Sequence, residues 1–287
     1  MSLLELVLLS VVAAQAPLHS DEAPANCDNC AVWNQAHAPF KIYGDSYYVG
    51  VDGLSSVLIT TPKGHILIDG GLPQSAAVIA SNIKSLGFDV HDVKWILNSH
   101  THYDHVGGIA ALQRMSGAKV VASTDSAKAM QQGQALPNDP QFGFGNDTKF
   151  PAIKSVKTIA DGDSIVIGNA VLTAVFTPGH TAGGTTWTWP SCEAGKCLTL
   201  VFADSLTPVS APDYKFSAHP QTVAIFRRSI DTMRNLKCDI IISAHPSFSD
   251  LFEKAASKSL VDAESCRKYA DDAEARLKKR LADEASK

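Results

Sequence analysis

The stretch Asn98-Ser99-His100-Thr101-His102-Tyr103-Asp104-His105-Val106-Gly107-Gly108 decides how the rest of the chain is read. A buried strand, 93–97, is expected to run into it, and a helix, 107–115, to leave it. Alternate side chains of an extended segment share a side, so His100, His102 and Asp104 can converge, while His105 swings in as the chain turns. Three neutral imidazoles and a carboxylate suit zinc, a borderline-soft ion that takes nitrogen and oxygen donors in tetrahedral arrays. The competing reading, a polar surface turn, leaves this crowding of ligand-type side chains at one strand end without a reason.

Two further histidines sit in the same kind of place. His180 follows the apolar run 171–176 within Thr177-Pro178-Gly179-His180-Thr181, and His245 follows 239–243 within Ser243-Ala244-His245-Pro246. With the hexapeptide they make six ligands at three strand ends, enough for two zinc ions that each keep a position open for water and substrate. His19, His37, His65, His91 and His219 lack such a setting and read as structural.

Outward from the site, 56–60 and 65–69 read as a hairpin across Thr61-Pro62-Lys63-Gly64, and 75–86 as a helix ending at Gly87. A second half begins with strands at 155–159, 164–167, 171–176, 185–189 and 198–203, followed by a helix, 222–236, and a strand, 239–243. Strands and helices alternate in two similar halves, so the fold class expected is α/β: an αββα sandwich, two mixed β-sheets packed face to face with helices outside. The Gly-, Pro- and Asn-rich segment 131–151 reads as a long loop, either a lid or a passive connector. Gln141 and Phe142 within it, and Thr101 between two ligands, are candidates to touch substrate. The tail 262–287, with charges of both signs interspersed, reads as a solvated helix face.

The 287 residues, 45% hydrophobic and 19% charged, can bury a sizeable core, which excludes disorder and coiled coil. A net charge of −4 with no dense Lys/Arg cluster excludes a surface that tracks a nucleic-acid backbone. No apolar run reaches the ~18 residues of a membrane span, so no transmembrane helix is expected, and a monomer is the default. Residues 1–16 read as a secretory signal for periplasmic export, although Glu5 and the lack of Lys or Arg depart from that pattern; a frayed helix is the other reading. A lead segment, 17–39, then precedes a single catalytic domain, 40–287.

Cys27, Cys30, Cys192, Cys197, Cys238 and Cys266 suit disulfides in an exported chain, and six cysteines allow fifteen pairings. Spacing favours Cys192 with Cys197 across a hairpin tip and Cys238 with Cys266 across a longer loop. Cys27 and Cys30 are left with each other, the least secure of the three pairs.

Together, His100-x-His102-x-Asp104-His105, Asp69 in Ile68-Asp69-Gly70, Pro178-Gly179-His180-Thr181 and Ala244-His245-Pro246 resemble the metallo-β-lactamase superfamily over residues 40–266. The ligand set resembles the third subclass of the class B β-lactamases. That resemblance implies a first zinc on His100, His102 and His180, a second on Asp104, His105 and His245, and Asp69 standing behind the ligands. Trp187-Thr188-Trp189 and the Cys192/Cys197 and Cys238/Cys266 pairs also resemble this group; Cys27-x-x-Cys30 is not part of its common pattern.

Within the superfamily, Ala203-Asp204-Ser205-Leu206-Thr207 discriminates. Lactonase-like and glyoxalase II-like members carry a metal-bridging Asp in a Gly-Asp-Thr stretch. The third-subclass lactamases have a Ser after the Asp that helps bind the substrate carboxylate, a role the resemblance gives to Ser205 and Thr207. Whether Asp204 or Ser205 faces the metals stays open at this stage. The activity implied is zinc-dependent opening of the β-lactam ring of penicillins, cephalosporins and carbapenems, with antibiotic resistance as its consequence. Asp104 would act as both ligand and catalytic group, orienting the attacking hydroxide. Three alternatives remain: a lactonase or thioesterase of the same superfamily, a mononuclear-iron sulfur dioxygenase, and a non-catalytic zinc module.

Overall fold

Period-two alternation builds the framework. In β3 (Val57–Ile59) and β4 (His65–Ile68), Val57, Ile59, Ile66 and Ile68 face one way, Leu58 and Leu67 the other, and both sides are buried. The first set shares a core with Trp187, Trp189, Leu200, Phe202, Ile240 and Ile242, which come from a second sheet. The other set packs with Ile79, Ile83, Ile109 and Leu112 from helices. Those two cores, plus a third joining Val201, Ala203 and Ile241 to helices on the far side, define the expected αββα sandwich. The structure is a computed structural model and describes residues 23–286.

The first sheet runs β1 (Phe40–Tyr43), β2 (Ser46–Tyr48), β3, β4, β5 (Val93–Leu97), β6 (Lys119–Ala122) and β7 (Val156–Thr158). It is antiparallel from β1 to β4 and parallel from β4 to β7. The second runs β12 (Ile240–Ser243), β11 (Lys196–Ala203), β10 (Thr185–Glu193), β9 (Ala170–Phe176) and β8 (Ser164–Ile167), with only β11 and β12 parallel. The helices are α1 (Cys30–Trp33), α2 (Ser75–Ser85), α3 (Tyr103–Val106), α4 (Ile109–Ser116), α5 (Thr124–Gln132), α6 (Pro220–Arg234), α7 (Leu251–Ala256) and α8 (Ser265–Ala285). No helix among the described residues is long and apolar enough to cross a membrane.

Two expectations need correction. The strand near 155–159 belongs to the first sheet, because β7 pairs in parallel with β6 and so closes the first half instead of opening the second. The tail is not merely a solvated face. In α8, Cys266, Tyr269, Ala270, Ala273 and Leu277 are buried at helical spacing against the second sheet and α6. Beyond them Arg280 donates to the Pro208 and Tyr214 carbonyls, while Glu284 accepts from the Phe216 and Ser217 amides. The tail thus ties down the chain that follows β11.

Three disulfides are present, Cys27–Cys30, Cys192–Cys197 and Cys238–Cys266, leaving no free cysteine among the described residues. The expected signal, 1–16, and His19 lie outside the described residues.

Replacing the fully buried Leu277 with alanine is expected to cost about 2–5 kcal/mol of stability through the cavity it leaves. Urea unfolding measures this, and a change below about 0.5 kcal/mol, the scale of a surface substitution, would show that α8 does not dock.

Candidate metal centre

The loops that follow β4, β5, β9, β11 and β12 meet at one edge of the sandwich. After β4, Asp69 turns with φ +58°, and its buried carboxylate accepts from the Ser99 amide (2.7 Å), the Ser99 hydroxyl (2.5 Å) and the Asn98 side chain (3.1 Å). This pins the start of the histidine segment. Asn98 also donates to the His100 carbonyl at 2.7 Å, and the Trp187 indole donates to the Asn98 carbonyl at 3.0 Å. The turn can lie so close because of its glycines: a Cβ on Gly108 would stand 2.3 Å from the Gly70 carbonyl oxygen. From His102, which caps α3, the chain becomes helical, and this carries Asp104 and His105 round to face the pocket.

All six candidate ligands are brought together. His102 Nδ1 lies 3.0 Å from His180 Nε2, and His100, His102 and His180 form one group whose donor atoms lie within 4.8 Å of one another. His105 Nε2 lies 3.2 Å from His245 Nε2, and Asp104 Oδ2 stands 3.3 and 3.4 Å from those two nitrogens. His100, shared between the groups, packs at a tilt against His105, 4.2 Å centroid to centroid.

The outward ring nitrogens explain the inward ones. His180 Nδ1–H donates to the Thr207 carbonyl (2.7 Å), His245 Nδ1–H to the Gly53 carbonyl (3.1 Å), and His102 Nε2–H to the Asp139 carboxylate (3.1 and 3.2 Å). His100 Nδ1 stands 2.9 Å from Asp204 Oδ1, and His105 Nδ1 3.7 Å from Asp69 Oδ2. Each outward nitrogen that donates its proton leaves a bare lone pair on the inward side. Two lone pairs at 3.0 Å repel unless a cation lies between them: a proton in the metal-free protein, a metal ion in the loaded one. His100 Nε2 is buried with no hydrogen-bond partner, as a nitrogen reserved for a metal would be. The donor set is nitrogen and oxygen only, since the cysteines are spent in disulfides.

Electrostatics agree. Burial holds His100 well below the usual imidazole range and His180 at about 3, and it lowers His105 against the pull of Asp104. Burial also acts to lower His102, but the Asp139 carboxylate outweighs it and the ring is raised. Asp104 resists its own burial because His105 and His245 keep its carboxyl well below the ordinary value. Burial pushes Asp69 up to about 7 against its hydrogen bonds, and raises Asp204 well above the usual range.

Asp204 lies behind His100, on the ring side away from the orphaned Nε2, and its backbone carbonyl accepts from the Tyr269 hydroxyl at 2.8 Å. Ser205 and Thr207 are 2% and 8% exposed, and the Thr207 hydroxyl lies 3.3 Å from His180 Nδ1. Thr101 is buried, Gln141 is 9% exposed and Phe142 is 43% exposed. The other described histidines bind elsewhere: His37 stacks on Phe252, His219 on Tyr214, and His91 meets Asp89 at 2.6 Å. Sequence reasoning missed Asp139, Gly53 and Trp33. The Trp33 ring packs 5.2 Å from His245, and its carbonyl accepts from the Gly53 amide.

A family description, the metallo-β-lactamase superfamily, matches residues 49–245. The chain belongs to the metallo-β-lactamase superfamily. Among solved structures, the Rm3 metallo-β-lactamase is 47% identical, with a TM-score of 0.87 over 91% of this chain and 99% of that one. MEM-A1, a subclass B3 metallo-β-lactamase from a soil metagenome library, is 46% identical, with a TM-score of 0.85 over 88% of this chain and 99% of that one. Among curated proteins, the N-acyl homoserine lactonase AttM of Azorhizobium caulinodans is 29% identical over 51% of this chain; the match spans 63% of that relative's length.

Zinc added to the metal-free protein is expected to raise its melting temperature, with about 4 kcal/mol gained at a thousandfold excess over Kd. Because burial lowers His100 and His180 and so disfavours a second proton on either ring, binding there should release fewer protons in mildly acidic buffer than three ordinary histidines would. Calorimetry in buffers of different ionisation enthalpy measures both. An unshifted melting temperature would show that the inward nitrogens do not hold metal.

Proposed function

We propose that this chain is a zinc-dependent β-lactamase with two resident zinc ions, one on His100, His102 and His180 and one on Asp104, His105 and His245. Its substrates are penicillins, cephalosporins and carbapenems, and its product is the ring-opened acid. The observation that carries this reading is likeness along the chain: 46–47% identity to metallo-β-lactamases over 88–91% of its length, with a donor set free of cysteine. Three disulfides support an oxidising compartment, and we place the protein in the periplasm, acting as a monomer that confers antibiotic resistance.

Zinc bound there would supply Lewis-acid polarisation of the lactam carbonyl and a water acidic enough to attack near neutral pH. The chain's own residues do the rest. Asp104, kept ionised by His105 and His245, orients the attacking water and relays its proton to the departing ring nitrogen through Oδ1, the carboxylate oxygen left free when Oδ2 holds the metal. The Ser205 and Thr207 hydroxyls donate to the substrate carboxylate and set the ring's approach. Asp69 and Asp204 hold the histidine turn and His100 from behind, out of reach of solvent. The Gln141 and Phe142 turn covers the substrate and excludes water.

A lactonase reading has one observation in its favour, the 29% identity to AttM. Against it stands Asp204, whose carboxylate lies behind His100 and not between the two ligand groups, where a metal-bridging aspartate would be.

Purified, zinc-loaded protein is expected to hydrolyse a carbapenem and a cephalosporin, followed by ultraviolet absorbance, and to stop when a chelator is added. His102→Ala and His180→Ala should nearly abolish turnover, and Asp104→Ala should retain first-site metal yet lose most of the rate. Ser205→Ala should raise KM about fivefold with kcat little changed, the scale of one neutral hydrogen bond of about 1 kcal/mol. Turnover of an N-acyl homoserine lactone, without turnover of either β-lactam, would replace this reading with the lactonase.

A further inference from the structure

The partners that fix the other metal-facing histidines come from segments next to strand ends or in short turns. Asp139 does not. It lies in the long connection between α5 and β7, buried to 5% exposure, with both carboxylate oxygens at hydrogen-bond distance from His102 Nε2. The same carboxylate has a second use: its Oδ1 accepts from the Gln141 amide at 2.7 Å, which closes a tight turn across Pro140.

That turn is stitched on both sides. The Asp139 amide donates to the Leu136 carbonyl (2.9 Å), and the Phe142 amide donates to the Asp139 carbonyl (3.0 Å). The Pro140 carbonyl accepts from the Ala211 amide at 2.9 Å, so the loop is tied to the segment that follows Thr207. Gly143 lies so close to that segment that a Cβ on it would stand 2.5 Å from Asp213 Oδ1. One buried carboxylate therefore sets both the ring of His102 and the backbone that presents Gln141 and Phe142.

We propose that Asp139 is a positioning residue coupling the 133–150 loop to the first metal group: it holds His102 with Nδ1 facing inward and locks the 139–142 turn beside it. The coupling rests on His102 being a metal ligand, as proposed above. A carboxylate behind a metal-bound imidazole fixes the tautomer and raises the ring's basicity, and its loss typically costs about 10–100-fold in metal affinity. Here the same loss would also loosen the turn at Gln141, whose amide would lose its acceptor.

Two readouts test this without depending on turnover. The first is competition for zinc against a chelator in the unsubstituted protein, Asp139→Ala and Asp139→Asn. The second is hydrogen exchange at the Gln141 and Phe142 amides in the metal-free forms of all three. Asp139→Ala should weaken first-site zinc binding about 10–100-fold and speed exchange at Gln141 about tenfold or more. Asp139→Asn keeps an acceptor oxygen without the charge, so its exchange should stay close to that of the unsubstituted protein while its zinc affinity falls part of the way. Unchanged zinc affinity in Asp139→Ala, with or without a freed loop, would overturn the coupling. Exchange unchanged in Asp139→Ala would overturn the tether. An unsubstituted protein that binds zinc but opens no β-lactam counts against the proposed substrate and leaves both readouts decisive for Asp139.

Discussion

Ring nitrogens with no protein partner but each other face one another across 3.0 and 3.2 Å in a mostly buried pocket, and the surrounding structure is organised to keep them there. Left to themselves such lone pairs would turn away or take up protons. They are held by what stands behind each ring: two carbonyls, the Asp139 carboxylate, and Asp204 and Asp69 near His100 and His105. An unmade hydrogen bond on a buried polar group costs about 1–3 kcal/mol, so this arrangement is sustained only by the packing of the sandwich around it. A divalent cation satisfies all the inward donors at once.

The parts of the fold far from the site also serve that constraint. The core between the sheets fixes the strand ends from which the histidine loops leave. The tail helix reaches the site through Tyr269, whose hydroxyl bonds the Asp204 carbonyl, while Arg280 and Glu284 tether the segment after Thr207. Nearer the other end of the chain, α1 places Trp33 against His245, and the Trp33 carbonyl accepts from the amide of Gly53, whose own carbonyl orients that ring. A Cβ on Gly53 would stand 2.5 Å from the Trp33 ring, so the approach requires glycine.

Much of this was legible in the sequence because the information was local. A ligand cluster within six residues announces itself by spacing alone, and β3, with most of β4 and β5, is apolar in the way that a sheet buried on both faces needs. The strands β1 and β2 were missed because, at four and three residues, they are too short for any alternation to stand out. The helix α5 carried a signal that could have found it, Ser123 capping the amide of Ser126. The tail's buried face was hidden because small residues, Ala270 and Ala273, do the packing between charged neighbours. Asp139 was out of reach: it meets a ring 37 residues away, and only the folded loop brings it there.

The most direct test is to collect anomalous diffraction at the zinc absorption edge from crystals grown with zinc. The account predicts two peaks: one about 2.0–2.1 Å from His102 Nδ1, His180 Nε2 and His100 Nε2, the other at similar distances from His105 Nε2, His245 Nε2 and Asp104 Oδ2. Crystals that diffract well and show no zinc peak among these six side chains would contradict it.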